Sequence, residues 1–245
     1  MTDMTTTPGK LARVSRLLLA NRERGSEWWW LNDEPGRPGK KRANKFLAGA
    51  IIDYQMRAHS AWELAQRRIE DDLGDPADLW DVISAKPRYL WNARWKTRPW
   101  HRFPKGHERV WLIGKAIARD YAGDARNIWR EQTPAEALGR LLKAGVGPQI
   151  SRMVVGALLD AREIRGKSDV KADLHVRRVL GRVLKGRKLS EDEATTATRR
   201  MYSRNPWLLD GPLYWLGKRA CSETTPQCPD CYLKAECAFK AARGR

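Results

Sequence analysis

The sequence predicts an all-α fold for this chain of 245 residues. Apolar residues recur at helical spacing along most of the chain, and no segment alternates between apolar and polar residues as a half-buried strand does. Glycine and proline residues interrupt the helical pattern at short intervals, as expected between helices. With 42% apolar residues, the chain has enough hydrophobic side chains to form a substantial core.

The helical pattern can be followed from the N-terminal half to the C-terminal half. Leu47, Ile51 and Tyr54 share one face of a first predicted helix. Two more apolar stripes follow with the same period, namely Leu112, Ile113, Ala116 and Ile117, and then Val176, Val179, Leu180, Val183 and Leu184. These stripes predict amphipathic helices that pack on a shared core.

The segment 133–160 predicts a hairpin of two helices. Thr133 can cap the first helix, with Glu136 three residues after the cap. The turn is the Gly-Val-Gly sequence at 145–147, and a second helix begins at about Pro148. The two glycines leave the backbone open to a phosphate, and the first amides of the second helix favour an anion. An ordinary turn between two helices is the alternative.

The chain is strongly basic, with 47 Lys and Arg residues against 29 Asp and Glu residues and a formal charge of +18. This excess favours a polyanionic partner. No apolar run approaches the roughly 18 to 20 residues of a membrane-spanning helix, and the N-terminus lacks the pattern of a secretory signal. Nucleic acid is therefore the expected partner. The cytoplasm, where stable disulfides are uncommon, is the expected location.

All four cysteines lie near the C-terminus, at Cys221, Cys228, Cys231 and Cys237. Structural zinc sites usually take two short Cys pairs separated by a longer stretch, whereas this compact set suits a cubane iron-sulfur cluster. Chemistry alone leaves both a zinc ion and an iron-sulfur cluster as alternatives for these cysteines. Basic residues of the same region would offset the negative charge of metal-bound thiolates, namely Lys218, Arg219, Lys234 and Lys240.

The cysteine spacing resembles the cluster loop of the endonuclease III family of DNA glycosylases, within the helix-hairpin-helix superfamily. The hairpin turn at 145–147 and an Asp-Leu-His segment at 173–175 stand upstream in the order that this family has. The resemblance extends over about 43–240 and is strongest after 134. It implies a [4Fe-4S] cluster on the four cysteines, double-stranded DNA as the partner, and a monomeric protein.

By the same resemblance, the chain would adopt the two-domain fold of a helix-hairpin-helix DNA glycosylase. Residues 40–166 would form a six-helix barrel domain that contains the helix-hairpin-helix motif at about 134–160. Residues 167–245 would form the cluster domain, and the N-terminal segment 1–39 would pack with it.

Asp173 is the catalytic residue that the resemblance implies, because the family places its essential aspartate at the start of such a helix. An ordinary helix cap is the alternative, although a cap would also hold a carboxylate rigidly in front of a sugar. The carboxylate would stabilise the positive charge that develops on the sugar and position the attacking water. His175 is expected to pack or to form hydrogen bonds, and Arg177 and Arg178 to contact solvent or phosphate.

Gln149 departs from the bifunctional members of the family. Their lysine, two residues after the second glycine of the hairpin, attacks the sugar and leads to strand cleavage, and Gln149 occupies that position here. An amide cannot act as an amine nucleophile, so the resemblance implies base removal by water. Lys143 and Lys171 lie close in sequence, and a substitute amine on one of them stays an alternative.

The DNA contacts that the resemblance implies come from the hairpin and from two other positions. Gly145, Val146 and Gly147 would bind phosphate through the backbone, and Arg177 would add a further contact. Gln55 matches a family position whose side chain fills the gap that a flipped base leaves. A surface glutamine is the alternative for Gln55.

The segment 88–111 interleaves tryptophan with arginine and is longer than its counterpart in the family. Its rings could stack on unpaired bases or on a cationic alkylated base. Alternatively, several of these rings belong to the core, which is the expectation for Trp111.

The function implied is that of a DNA repair glycosylase, which flips a damaged, mismatched or modified base and hydrolyses its N-glycosidic bond. A catalytically silent DNA-binding module is one alternative, and the presence of Asp173 disfavours it. A zinc-stabilised RNA-binding protein is another. The identity of the base stays open, because pocket walls differ without changing these motifs.

Overall fold

The computed structural model describes residues 7–22 and 39–239, and every regular element within them is a helix. The predicted all-α class is therefore confirmed. Among these residues, no helix is long and apolar enough to cross a membrane. The chain divides into two compact units: residues 7–22 and 167–239 belong to the terminal unit, and residues 39–166 belong to the central unit.

After the N-terminal helix α1 (Pro8–Ala20), the described helices of the central unit come next in the chain. They are α2 (Lys40–Ile52), α3 (Ala58–Leu73), α4 (Leu79–Ser84), α5 (Arg88–Ala93), α6 (Pro104–Tyr121), α7 (Arg126–Trp129), α8 (Pro134–Lys143) and α9 (Pro148–Asp160). Their buried apolar side chains form one continuous core.

Helix α2 supplies the most deeply buried part of this core. Every residue from 46 to 52 is buried, so the helix is covered on all sides. Gly49 allows the Trp62 ring of α3 to approach, because a Cβ at this position would overlap the ring. The prediction that Tyr54 lies on the same helical face is wrong, because α2 ends at Ile52 and Tyr54 is 40% exposed in the turn that follows.

Asn44 is a fully buried polar residue that joins three segments of the central unit. Its Nδ2 donates to the carbonyl oxygens of Ala77 at 3.1 Å and Gly123 at 2.9 Å. Its Oδ1 accepts from the indole Nε1 of Trp80 at 3.0 Å and from the amide of Ala125 at 2.8 Å. Each donor and acceptor of this side chain is therefore used, which fixes the loops before α4 and α7 against α2.

The terminal unit contains helices from both ends of the described chain. They are α1 (Pro8–Ala20), α10 (Leu174–Lys185), α11 (Glu191–Met201) and α12 (Asp210–Arg219), with short 3₁₀ helices at Pro206–Leu209 and Lys234–Glu236. Residues 7–22 are the described part of the N-terminal segment that was expected to pack with the cluster domain, and most of its remaining residues lie outside the described ranges.

Helix α10 runs through the core of the terminal unit. All five apolar positions predicted for this helix are buried, in the same apolar core as Leu11, Val14 and Leu18 of α1. Gly181 permits the chain at 187–189 to lie directly against the helix, because a Cβ there would overlap backbone atoms. Both ends of the described chain thus contribute to one core around α10.

Replacing Asn44 by alanine should lower the free energy of unfolding by about 3 kcal/mol, because buried donors and acceptors would lose their partners. Urea denaturation followed by circular dichroism would measure the change. Asn92→Ala is the matched control, since Asn92 is exposed and donates to Glu108 at 3.2 Å. That control should stay within about 0.5 kcal/mol of the wild type, and equal losses for the two variants would contradict the role given to Asn44.

Candidate active site and nucleic-acid interface

The predicted hairpin is present, with helix α8 followed by helix α9. Thr133 Oγ1 accepts from the amide of Glu136 at 3.3 Å, and Glu136 Oε2 accepts from the amide of Thr133 at 2.8 Å. This reciprocal pair forms the predicted capping box at the start of α8. Helix α9 begins at Pro148, also as predicted.

The turn between the two helices is closed by its own backbone. Gly145 has φ of 93°, in the left-handed region that favours glycine. The amides of Gly145 and Val146 donate to the carbonyl oxygens of Leu142 and Leu141, each at 3.0 Å. The Val146 side chain is only 3% exposed. These two amides donate within the hairpin itself, and a phosphate contact at Gly145 and Val146 stays a prediction.

The start of α9 is the open part of the hairpin. Gly147 occupies the N-cap position, and no side chain of residues 7–22 or 39–239 caps this helix end. Among the described residues, the atom near a Cβ on Gly147 would be a guanidinium nitrogen of Arg109 at 3.9 Å. The positive end of a helix, an open approach and an adjacent cation are together suited to an anion such as phosphate.

Gln149 is the second residue of α9 and is half-buried in the central unit. Lys143 is exposed at the end of α8, in the same unit. Lys171 belongs to the terminal unit, where its backbone amide donates to the buried Asp210 carboxylate at 2.6 Å.

Asp173 caps helix α10. Its Oδ1 accepts from the amides of His175 at 2.8 Å and Val176 at 3.0 Å. Its Oδ2 accepts no hydrogen bond from the part of the chain that the structure describes. The preceding residue, Ala172, is fully buried with φ of 52°, so the chain turns sharply into the cap. One carboxylate oxygen is thus fixed, and the other is available to a ligand.

Arg178 is buried rather than in contact with solvent, so that expectation is wrong. Its Nε donates to the carbonyl oxygen of Cys221 at 2.8 Å, and its Nη2 donates to that of Gly217 at 2.9 Å. The same Nη2 lies 3.0 Å from Nδ1 of His175. Burial lowers the pKa of His175, against the opposing effect of the Asp173 charge, and a neutral imidazole can accept from the guanidinium.

A second buried arginine of α10 reaches the loop that carries the cysteines. Arg182 donates to the carbonyl oxygens of Ser222 at 2.6 Å and Glu223 at 2.7 Å. Its Nη1 also lies 3.4 Å from Sγ of Cys221, and its guanidinium carbon is 4.4 Å from the centre of the Phe239 ring. Sequence reasoning missed the role of this residue, because arginine gives no sign of burial until its acceptors are known.

The four cysteine side chains line one cavity, which Val179 and Val183 of α10 and Leu216 of α12 also line. Within the described residues, no three His, Cys, Asp or Glu side chains converge to hold a single metal ion. All four cysteines thus border the same cavity. Burial raises the pKa of the Cys231 and Cys237 thiols.

The basic residues around this cavity differ in part from those predicted. Lys234 lines it, as the buried Arg182 does. Lys218 and Arg219 lie over the rings of Tyr214 and Trp215, at 5.9 and 4.4 Å from the ring centres. Lys240 is outside the described residues.

The predicted DNA contacts outside the hairpin occupy different settings. Gln55 is exposed and has φ of 54°, in the left-handed region. Arg177 is half-buried, and its Nε donates to the carbonyl oxygen of Leu189 at 2.9 Å. Their roles in DNA binding stay predictions.

Two tryptophans of segment 88–111 belong to the core of the central unit, and a third packs against it. Trp91 and Trp100 are 1% and 3% exposed, so the core alternative holds for these two rings. Trp111 packs partly buried against the same core, as expected. The indole nitrogens of Trp91, Trp95 and Trp111 donate to the carbonyl oxygens of His107, His101 and Lys86.

The chain has the fold of endonuclease III, and its hairpin and capped aspartate stand in the order that the resemblance implies. No family model matches the chain. It is 25% identical over 172 residues to endonuclease III of Thermotoga maritima, an alignment that covers 69% of this chain and 67% of that protein. The predicted resemblance is therefore confirmed.

Solved structures share the fold over almost the whole chain. A trapped covalent intermediate of endonuclease III with DNA, in an estranged-adenine complex, has a TM-score of 0.69 at 16% identity and covers 98% of this chain and 99% of its own. A non-covalent endonuclease III–DNA complex has a TM-score of 0.64 at 15% identity. The match covers 97% of this chain and 98% of that chain. A thermostable thymine-DNA glycosylase has a TM-score of 0.59 at 14% identity. The match covers 94% of this chain and 96% of that chain.

Proposed function

We propose that the protein is a DNA glycosylase, which releases a damaged, mismatched or modified base from double-stranded DNA by hydrolysis of the N-glycosidic bond. The observation that carries this proposal is the geometry of Asp173, whose Oδ1 is fixed by two amides while Oδ2 has no partner among the described residues. The formal charge of +18 and the similarity to endonuclease III of Thermotoga maritima support a role on DNA.

Binding would begin at the phosphates. The uncapped N-terminus of α9 offers backbone amides and a positive helix end, and Arg109 adds a full charge beside Gly147. Contacts of this kind hold the duplex in register without reading its sequence. The target nucleotide would then leave the base stack, because an enzyme cannot reach the glycosidic bond inside a duplex.

Asp173 would act as the glycosidic bond lengthens. A carboxylate placed at the sugar stabilises the positive charge that develops there, and it can accept a proton from the attacking water. The two amide hydrogen bonds to Oδ1 hold the side chain in one orientation, so little reorganisation is needed during the reaction.

We further propose that the reaction stops at base release. Gln149 stands where the bifunctional relatives of the family have a nucleophilic lysine, and its amide cannot form a Schiff base with the sugar. The route that remains is hydrolysis by water, with an abasic site as the product.

We also propose that the four cysteines hold a [4Fe-4S] cluster rather than a zinc ion. In a cubane each thiolate binds a different iron, whereas zinc needs four ligands at about 2.3 Å from one point. The compact spacing of the four cysteines, all of which line one cavity, supports the cluster. The cationic Arg182 beside Cys221 would offset its negative charge. When bound, such a group cross-links the loop and stabilises its fold.

Protein purified without oxygen should contain about four iron and four acid-labile sulfide ions per chain. Cys228→Ser should lose the iron and lower the thermal stability, because the loop has few apolar residues to keep it folded. Glu223→Gln is the matched control in the same loop, since this side chain is exposed and only its carbonyl is used. Stoichiometric zinc without sulfide would contradict the cluster.

Asp173→Asn should lower the single-turnover rate of base release by at least about 100-fold, because a neutral amide cannot stabilise a cationic sugar. Asparagine also caps helices well, so folding and DNA affinity should change little. The substrate would be found first with a panel of duplexes that each carry one modified or mismatched base.

Asp169→Asn is the matched control for this experiment. Asp169 lies on the same chain segment and pairs with Arg199 at 2.6 Å, and its loss should leave the rate of base release unchanged. If no duplex loses a base and Asp173→Asn has no effect, a catalytically silent DNA-binding module becomes the better account.

A further inference from the structure

A histidine from the tryptophan- and arginine-rich segment holds the turn that carries Gln55. His101 is 1% exposed, and its Nε2 lies 2.7 Å from the carbonyl oxygen of Tyr54. Its Nδ1 accepts from the amide of Phe103 at 3.0 Å. Because Nδ1 is an acceptor, the ring proton lies on Nε2, which therefore donates to the Tyr54 carbonyl.

This hydrogen bond acts on the peptide group that sets the conformation of Gln55. The Tyr54 carbonyl and the Gln55 amide belong to the same planar unit, so fixing the carbonyl restricts rotation about the following bond. Gln55 has φ of 54°, which residues other than glycine adopt only where the surroundings hold them there. His101 is the buried group that supplies this restraint.

The Tyr54 side chain is held as well. Its ring is stacked on the His101 ring, with centres 6.5 Å apart and planes at 29°. The guanidinium of Arg109 lies 5.1 Å from the centre of the Tyr54 ring. Both the backbone and the side chain at the start of the turn are therefore tied to residues of segment 88–111.

The His101 ring has little freedom to move. A Cβ on Gly106, in the first turn of α6, would overlap this ring. Glycine at this position thus lets the imidazole lie directly against the helix, and the ring is held between α6 and the turn after α2. A buried, sterically confined donor is well suited to fix a neighbouring loop.

The turn and the open helix end lie side by side within the central unit. Arg109 contacts the Tyr54 ring, and the same guanidinium is the nearest neighbour of the position where Gly147 would carry a Cβ. An anion bound at the start of α9 would therefore lie close to the turn that presents the exposed Gln55.

We propose that His101 is a positioning residue for DNA, which holds Gln55 in the conformation that lets its side chain enter the space left by a flipped base. This inference rests on the proposed function and on the gap-filling role that the family resemblance implies for Gln55. It gives segment 88–111 a part in DNA recognition through a buried imidazole.

His107 provides a matched control for His101. It is also 1% exposed, its Nδ1 accepts from the amide of Trp100 at 3.0 Å, and its Nε2 lies 2.8 Å from the carbonyl oxygen of Trp91. These bonds support the same segment but go to residues other than the Tyr54–Gln55 turn. Removal of either imidazole should destabilise the central unit, whereas only His101 should affect the function of Gln55.

The test measures binding of the full-length protein to a duplex with one tetrahydrofuran abasic analogue and to the intact duplex. Gln55→Ala and His101→Phe should each weaken binding to the analogue by about tenfold, and the double variant should be no weaker than Gln55→Ala alone. His101→Gln, which keeps an N–H donor, should recover part of the affinity. His107→Phe should leave the affinity unchanged at a temperature where all variants are folded.

Two results would overturn the inference. One is an equal effect of His101→Phe in the wild-type and the Gln55→Ala backgrounds, and the other is no effect of Gln55→Ala on the abasic duplex. If His101→Phe fails to fold, Gly106→Ala takes the place of this variant in the comparison of single and double variants, because its Cβ would displace the same ring. The analogue has no base to release, so a protein that fails to excise bases but shows this coupling would refute the proposed function and support the positioning role.

Discussion

Two buried arginines of helix α10 connect the helix that Asp173 caps with the loop that contains the cysteines. Asp173 caps its first turn, while Arg178 and Arg182 donate to carbonyl oxygens at the end of α12 and in the cysteine loop. A buried guanidinium is costly unless its hydrogen bonds are made. The loop and the helix must therefore adopt their geometry together, and the position of the proposed catalytic carboxylate depends on a loop with little apolar surface of its own.

The features that could be predicted from the sequence are those that depend on near neighbours in the chain. The capping box of α8, the start of α9 and the cap of α10 each involve contacts within about three residues. The buried stripe of α10 follows from periodicity alone. In contrast, the burial of Arg178 and the exposure of Tyr54 depend on tertiary contacts. The sequence predicted that Arg178 contacts solvent or phosphate and that Tyr54 lies on an apolar helix face, and both predictions are wrong.

Segment 88–111 shows why a composition can support two opposite interpretations. Tryptophan interleaved with arginine is typical of a surface that stacks on bases, but it also suits a compact loop that needs indole donors for its own carbonyl groups. Burial decides between them: the rings of Trp91 and Trp100 are inside, and the polar contacts that matter for the neighbouring turn come from His101. Nothing in the residue pattern identifies which histidine has this role, because His107 has the same internal bonding.

The central claim is that water, rather than an amine of this chain, completes base release. Incubation of the wild-type protein with a duplex that carries a natural abasic site, in the presence of sodium borohydride, tests this claim directly, because the reagent reduces an imine to a stable adduct. The account predicts no covalent protein–DNA product and a strand that breaks only after alkali. Efficient trapping that is lost in Lys143→Met or Lys171→Met would contradict it.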